Sequence, residues 1–131
     1  MRNWISGLAV GSIVIVTMTP AMAREEGVRY GDIPPGAYSV VAEVRAKRGK
    51  EDELRAATLP LVALVRSDPK NLVYFFQEDR EAPGHFIFYE IFANQQDFEA
   101  HNAMPYVQAW FAKLPDLADG GVKAMKMEVL R

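Results

Sequence analysis

The stretch LVYFFQEDREAPGHFIFYEIF, residues 72–92, decides the fold that we predict for this chain. Two aromatic runs, 72–78 and 85–92, flank the polar segment 79–84, which contains a Pro-Gly pair. Apolar runs of this length, separated by a short turn segment, are typical of two strands joined as a β-hairpin. We therefore predict that this hairpin forms the centre of an antiparallel sheet.

The chain before the hairpin predicts a strand and a helix. Residues 38–47 largely alternate apolar and polar side chains, which is the period of a strand. From Glu51 to Val65, apolar side chains recur every three to four positions, which is the period of an amphipathic helix. Pro60 lies inside this helix and should kink it, because proline lacks the backbone N–H of an interior helical turn.

The chain after the hairpin predicts further helical segments and a last strand. Asn94 is a suitable N-cap for one helix, and Pro105 suits the first position of the next. Residues 122–130 then form a last strand after a turn at Gly120 and Gly121. The order βαββαβ predicts a ferredoxin-like α+β fold, in which helices lie on one side of a four-stranded antiparallel sheet.

Both faces of the predicted hairpin are apolar, although helices on one side can cover only one face. One parity carries Tyr74, Phe76, Phe86, Phe88 and Phe92, and the other carries Val73, Phe75, Ile87, Tyr89 and Ile91. A large exposed apolar patch usually marks an interface. A second copy of the same sheet is the simplest cover, so we predict a homodimer formed by sheet-on-sheet packing.

The first residues of the chain have the pattern of a secretory signal peptide. Residues 1–23 contain a charged start, an apolar run and the small-x-small sequence Ala21-Met22-Ala23. We expect cleavage after Ala23, a flexible leader at 24–37 and one domain at 38–131. The product would be exported, to the periplasm or the medium, with no membrane contact after cleavage. An uncleaved N-terminal anchor is the alternative.

Charge and composition exclude several classes of partner and of chemistry. Loss of Arg2 with the signal peptide would leave 14 basic and 17 acidic residues, a net charge of −3. The charges are interspersed and form no basic stripe, so we expect no nucleic-acid partner. The chain has no cysteine and only two histidines, His85 and His101, so a metal site would depend on carboxylates. We predict no metal.

Three runs within residues 38 to about 114 resemble one protein family. They are VVAEVRAKRGKEDELRAA, SDPKNLVYFF and FYEIFANQQDFEAHNAMPYVQAW. The most specific pattern among them is met by Glu90, Phe92, Phe98, Glu99, Ala100, His101, Pro105 and Tyr106. On these residues the chain resembles the antibiotic biosynthesis monooxygenase family, and most of all its small quinol-type members from bacteria.

The resemblance implies a dimeric α+β barrel and an oxygenase without metal, flavin or other cofactor. Such an enzyme oxidises a quinol or another small apolar aromatic with O2, since the substrate itself supplies the electrons. It needs an apolar chamber, a base that removes a phenol proton, and donors that stabilise the anion. The implied catalytic residues are His101 and Glu90. The implied substrate-binding residues are Asn71, Tyr74, Phe92, Phe98, Tyr106 and Trp110.

Two positions depart from the polyketide-oxidising branch of this family. That branch has a Trp and a Tyr where this chain has Phe92 and Phe98, so its indole and phenol donors are missing here. The haem-degrading branch has a Trp in place of His101. The chain is therefore closer to the quinol-type group than to either of these branches.

Each implied catalytic residue also has a structural explanation that the sequence leaves open. His101 could donate a ring N–H to Asp97 or to a backbone carbonyl. Glu90 could be an edge carboxylate that pairs with Arg45 or Lys47 or that reaches solvent. As catalytic groups, His101 would act as a base near neutral pH and Glu90 as an acid or base with a raised pKa.

Two other functions stay open on the sequence alone. One is a non-catalytic dimeric protein that binds a small apolar ligand in the same pocket. The other is an isomerase of a small sugar-like compound, which is an activity of some relatives. Quinol-dependent O2 uptake separates a monooxygenase from both.

Overall fold

The computed structural model of the protein describes residues 27–130. The predicted signal peptide lies outside these residues, so its cleavage stays a prediction. The elements in chain order are a 3₁₀ helix at Tyr30–Asp32, β1 at Tyr38–Ala46, α1 at Glu51–Arg66, β2 at Asn71–Glu78, β3 at His85–Phe92, α2 at Gln95–Asn102, α3 at Pro105–Phe111, α4 at Leu114–Leu117 and β4 at Ala118–Glu128.

The predicted hairpin forms half of a four-stranded antiparallel sheet with the strand order β2-β3-β1-β4. Phe76 lies opposite Phe88 and Tyr74 opposite Glu90 in the hairpin ladder. β3 and β1 are the interior strands, and β2 and β4 are the edges. This topology confirms the predicted ferredoxin-like α+β fold.

The helices cover one face of the sheet and bury it. That face contributes the fully buried side chains of Val40, Val44, Phe86 and Phe92. Because each buried Å² of apolar surface stabilises the fold by about 25 cal/mol, burial of these side chains stabilises the packing of the helices on the sheet. α1 continues through Pro60 to Arg66, so the proline does not end the helix.

One buried hydrogen bond links α1 to α3 and was not predicted. The indole Nε1 of Trp110 donates to Thr58 Oγ1 over 2.9 Å, and Thr58 Oγ1 donates to the Leu54 carbonyl over 2.7 Å. Thr58 is 0 % exposed, whereas Ala57, the preceding residue of α1, is only half-buried. A buried indole N–H without a partner would be costly, so Thr58 is the residue that allows Trp110 to lie in the core.

The predicted turn at Gly120 and Gly121 is wrong, because β4 already begins at Ala118. Both glycines have positive φ, 79° and 71°, which other residues rarely adopt. In the same region, Val44 and Ala46 of β1 pair with Val122 and Ala118 of β4, so β4 carries extra residues between the two pairs. The glycines therefore form a bulge inside the strand rather than a turn before it.

The last residues of the predicted leader pack against the domain. The Gly36 N–H donates to the Val129 carbonyl over 2.8 Å, and the Val129 N–H donates to the Ala37 carbonyl over 2.9 Å. Ala37 is fully buried in a small apolar cluster that includes Ile33 and Ile91. Hydrogen bonds therefore join the leader residues 34–37 to the segment around Val129.

The other face of the sheet has an apolar row that is only partly covered. Phe75, Tyr89, Val41 and Met125 lie side by side across all four strands of this face. Phe75 is 50 % exposed and Met125 is 62 % exposed. The prediction of two apolar faces is confirmed, and the second copy that would cover this face stays a prediction. Among residues 27–130, no helix combines the length and the apolar character needed to cross a bilayer.

Candidate functional site

A cavity of about 370 Å³ lies between the covered face of the sheet and helices α2 and α3. Its wall is mostly apolar and aromatic. The residues that define its sides are Val40, Ala42, Tyr74, Phe88, Glu90, Phe98, His101, Val107, Trp110, Ala124 and Lys126. Ligand sites in proteins typically have volumes of about 300–1,000 Å³, so this cavity falls at the small end of that range.

Glu90 is an acid in the interior of the sheet. The alternation of β3 places its side chain on the same face as Phe88 and Phe92, and Glu90 is only 6 % exposed. Its Oε2 has no hydrogen-bond partner within the described part of the chain. Burial raises the pKa of the Glu90 carboxyl to about 7, because the ionised form has lost its water.

The alternative of an edge carboxylate is wrong for Glu90. β3 is an interior strand, and the side chain faces the cavity rather than solvent. Arg45 instead approaches Glu43 at 4.0 Å, and Lys47 donates to the Pro115 carbonyl. Neither basic residue reaches the buried acid, because strand register places them at the other end of the sheet.

His101 reaches the same cavity from the last turn of α2. Asn94 begins this helix as predicted, since its side chain accepts a hydrogen bond from the Asp97 N–H over 2.9 Å. The His101 ring is 4 % exposed and packs on Phe92 with 5.2 Å between ring centroids. Burial lowers the pKa of His101, so the ring is neutral at pH 7.

The structural role predicted for His101 is not observed. Asp97 is engaged with Asn94 at the helix start, and His101 Nδ1 has no hydrogen-bond partner among residues 27–130. The other ring nitrogen, Nε2, lies 3.8 Å from Glu90 Oε2. This separation is longer than a hydrogen bond, and burial favours the neutral form of both groups. The pair is therefore a contact between two poorly solvated groups that each retain free hydrogen-bonding capacity.

The comparison with known sequences identifies the family of this chain. Residues 37–113, more than half of the chain, match the family described as antibiotic biosynthesis monooxygenase. The chain belongs to the antibiotic biosynthesis monooxygenase family. An uncharacterised protein of Synechocystis sp. is 28 % identical over 102 residues, which cover 78 % of this chain and 67 % of that protein.

Solved structures of similar fold agree with this membership. The crystal structure of PA3566 from Pseudomonas aeruginosa has a TM-score of 0.69 at 21 % identity and covers 73 % of this chain and 96 % of its own. SO0527 from Shewanella oneidensis has a TM-score of 0.65 at 25 % identity, with coverages of 74 % and 96 %. A crystal structure of an antibiotic biosynthesis monooxygenase has a TM-score of 0.67 at 21 % identity, with coverages of 72 % and 99 %. These similarities establish the family fold.

The structure brings most of the site residues implied by the family resemblance together. Tyr74, Phe98 and Trp110 line the cavity with Glu90 and His101. Tyr74 is 4 % exposed. The pKa of its hydroxyl is raised mainly by burial and to a smaller extent by the nearby Glu90. This hydroxyl therefore stays protonated and can donate a hydrogen bond. Trp110 meets Phe88 edge to face with 5.5 Å between ring centroids, which makes one aromatic wall.

Three of the implied substrate-binding residues lie outside the cavity lining. Phe92 is fully buried behind Phe98 and supports the His101 ring. Tyr106 is half-buried on α3, with a hydroxyl that has no partner within the described residues. Asn71 begins β2, and its side-chain amide donates to the Val73 carbonyl over 3.0 Å where the ladder register shifts. Its amide is thus committed to the backbone, as turn chemistry would favour.

Two features of the site were missed in the sequence. Lys126 lines the cavity from β4, and its alternation with Met125 and Met127 was the available signal, because neighbouring strand residues face opposite sides. Thr58, which holds Trp110, shows no comparable signal. The other histidine, His85, has a side chain that is only 13 % exposed. Its Nε2 lies 2.8 Å from Glu43 Oε2, on the opposite face of the sheet from the cavity.

The site offers acid–base groups in an apolar enclosure rather than a set of metal ligands. Residues 27–130 contain no group of three or more His, Cys, Asp or Glu side chains placed to hold a metal ion. A neutral imidazole accepts a proton, a neutral carboxyl donates one, and the surrounding aromatic side chains exclude water. This arrangement suits proton transfer to or from an apolar molecule with a hydroxyl group.

Proposed function

We propose that this protein is an exported, cofactor-independent monooxygenase that oxidises a quinol or a similar aromatic with O2. The observation that carries the proposal is the approach of Glu90 and His101 to 3.8 Å on the wall of an apolar cavity. Burying titratable groups without hydrogen-bond partners costs stability, and such groups concentrate at functional sites. Membership of the family supports the reaction class.

In the proposed reaction the substrate supplies all of the electrons. One oxygen atom of O2 enters the ring as a hydroxyl group and the other leaves as water, so a hydroquinone and O2 give a hydroxyquinone and water. The step that most needs a protein is removal of a phenol proton. The phenolate that results transfers an electron to O2 much more readily than the neutral phenol does.

His101 is the base in this proposal. Its lowered pKa leaves the ring neutral at pH 7, so a ring nitrogen can accept the phenol proton. The imidazolium that forms would be unstable in an apolar cavity without a counter-charge. Glu90, whose pKa is about 7, is already ionised in part of the molecules at pH 7, and its carboxylate supplies that charge next to Nε2 while the phenol proton stays on His101. A protonated Tyr74 hydroxyl supplies a donor for the developing oxyanion.

The size of the cavity limits the substrate to a small aromatic. A dry cavity of about 150 Å³ is enough to bind benzene, and this one measures about 370 Å³. The aromatic walls from Phe88, Phe98 and Trp110 match the flat faces of such a molecule. We therefore infer a substrate with one or two rings rather than an extended polycycle.

The assembly and location in the proposal rest on separate features. The apolar row of Phe75, Tyr89, Val41 and Met125, in which all but Val41 are exposed, supports a homodimer in which two sheets pack face to face. Export rests on the signal-like residues 1–23. Neither feature is needed for the proton transfer at Glu90 and His101. The dimer, the export and the reaction can therefore be tested separately.

The test is O2 uptake with a panel of hydroquinones, namely benzohydroquinone, methylhydroquinone and a naphthohydroquinone. Rates without protein are subtracted, because quinols oxidise slowly in air. His101→Ala should lower turnover by about 10²–10⁴-fold, which is the usual contribution of one positioned acid–base group. His85→Ala removes the only other histidine and is the matched control, with full activity expected per folded molecule.

Two results would contradict the proposal. Full activity of His101→Ala would remove this residue from the reaction. Tight binding of a hydroquinone without any O2 uptake would favour the alternative of a non-catalytic binding protein in the same family.

A further inference from the structure

Lys126 lies in the same row of the sheet as Glu90. In the strand register, Glu90 of β3 is opposite Val40 of β1, and Val40 is opposite Lys126 of β4. Residues that pair directly across antiparallel strands project from the same face. Two strand spacings therefore separate Glu90 from Lys126, roughly 9–10 Å between their backbones.

Among the described residues that line the cavity, Lys126 is the one lysine or arginine. Its ammonium has no acidic partner within 4.0 Å in the part of the chain that the structure describes, where the lysine and arginine salt bridges are those of Arg45, Lys50 and Arg55. The Nζ atom lies 6.0 Å from the centroid of the Phe98 ring, which forms part of the cavity wall. The charge is thus held at the rim of the cavity and is available to a ligand.

The two ends of the row differ in their chemistry. At the buried end, loss of water favours the uncharged forms of Glu90 and His101. At the rim, Lys126 belongs to an edge strand and keeps its ammonium in contact with water. Val40 lies between the two ends, and Ala42 follows it on the same face of β1, so the two side chains leave an apolar floor for a ring.

We propose that Lys126 selects an anionic aromatic ligand, whose hydroxyl group meets Glu90 and His101 while a ring carboxylate meta to that hydroxyl pairs with Lys126. This inference rests on the proposed function because both use the same cavity, and it narrows the ligand from any small aromatic to a hydroxylated aromatic acid. An ammonium at a rim binds a carboxylate as a point charge, so it tolerates ring substituents that a rigid bidentate site would reject.

Isothermal titration calorimetry under argon tests this inference with a matched pair of ligands. The probes are 2,5-dihydroxybenzoate and its methyl ester, which share the hydroquinone ring and differ in the anionic charge. We expect the wild-type protein to bind the acid about tenfold more tightly, which corresponds to about 1.4 kcal/mol. Lys126→Met should abolish this preference and leave the affinity for the ester nearly unchanged.

Lys123→Met is the control, because Lys123 is on the same strand but opposite Glu43 on the other face of the sheet. It should bind both probes as the wild type does. Equal affinities of the wild type for acid and ester, or a preference that survives in Lys126→Met, would overturn the role of Lys126. Neither result would affect the proposed oxidation of hydroquinones. If neither probe binds, both this inference and the assignment of the cavity to small hydroquinones fail.

Discussion

The buried carboxyl of Glu90 predicts a specific dependence of stability on pH. Its pKa is about 7 in the folded protein and 4.5 in the absence of burial. Between these two values, the unfolded chain has lost the proton that the folded chain still holds. Stability should therefore fall as pH rises, by about 1.4 kcal/mol per pH unit and about 3 kcal/mol over the interval, and then level off above pH 7.

Glu90→Gln should remove this decline, because the amide keeps the shape of the protonated carboxyl and does not ionise. The measurement is urea unfolding of the wild type and the variant, followed by circular dichroism at one protein concentration and at several pH values from 4.5 to 7.5. The difference in unfolding free energy between the two proteins should change by about 3 kcal/mol across this range in favour of the variant.

Comparing the two proteins isolates Glu90 from the other titrating groups. The lowered pKa of His101 acts in the opposite direction, since it removes stability as pH falls below the ordinary value of 6.5, and it acts in both proteins. Glu128→Gln, at an exposed position on β4, is the control and should run parallel to the wild type. Parallel pH profiles for the wild type and Glu90→Gln would refute the reasoning, because they would mean that Glu90 keeps its charge solvated in the fold.

Three further predictions concern the core, the open sheet face and the N-terminus. Thr58→Val should lower the unfolding free energy by about 1–3 kcal/mol, because it leaves the buried Trp110 N–H unpaired. Thr58→Ser keeps the hydroxyl and should retain most of the stability. Equal losses of stability for the two variants in urea unfolding would contradict this role of Thr58. Light scattering at micromolar concentration should show a dimer for the wild type and for Leu59→Asp on exposed α1, and a monomer for Phe75→Asp, since a charge buried in an interface costs several kcal/mol. A monomeric wild type would exclude sheet-on-sheet pairing. The intact mass of the protein from its native host should begin at Arg24, and a membrane-bound species that retains Met1 would favour the anchor instead.

Local sequence pattern determined the elements that carry the site. The aromatic runs predicted at 72–78 and 85–92 correspond to β2 at Asn71–Glu78 and β3 at His85–Phe92. The cap at Asn94 was also predictable, because an Asn that precedes a helix accepts hydrogen bonds from N–H groups within its own first turn. Alternation in a strand likewise placed Glu90 among aromatic residues on one face. Such features depend on neighbours within a few residues, so they can be seen in the sequence.

Tertiary structure alone decided which of these residues meet. Glu90 approaches His101 because α2 lies back across β3, and Lys126 enters the same row only through the pairing of β1 with β3 and β4. The bulge at Gly120 and Gly121 and the bond from Trp110 to Thr58 likewise depend on contacts between distant segments. The charge states of the site residues also depend on the tertiary structure. The pKa values of Glu90 and His101 are set by the loss of water around them, and only the packed structure determines which side chains lose that water.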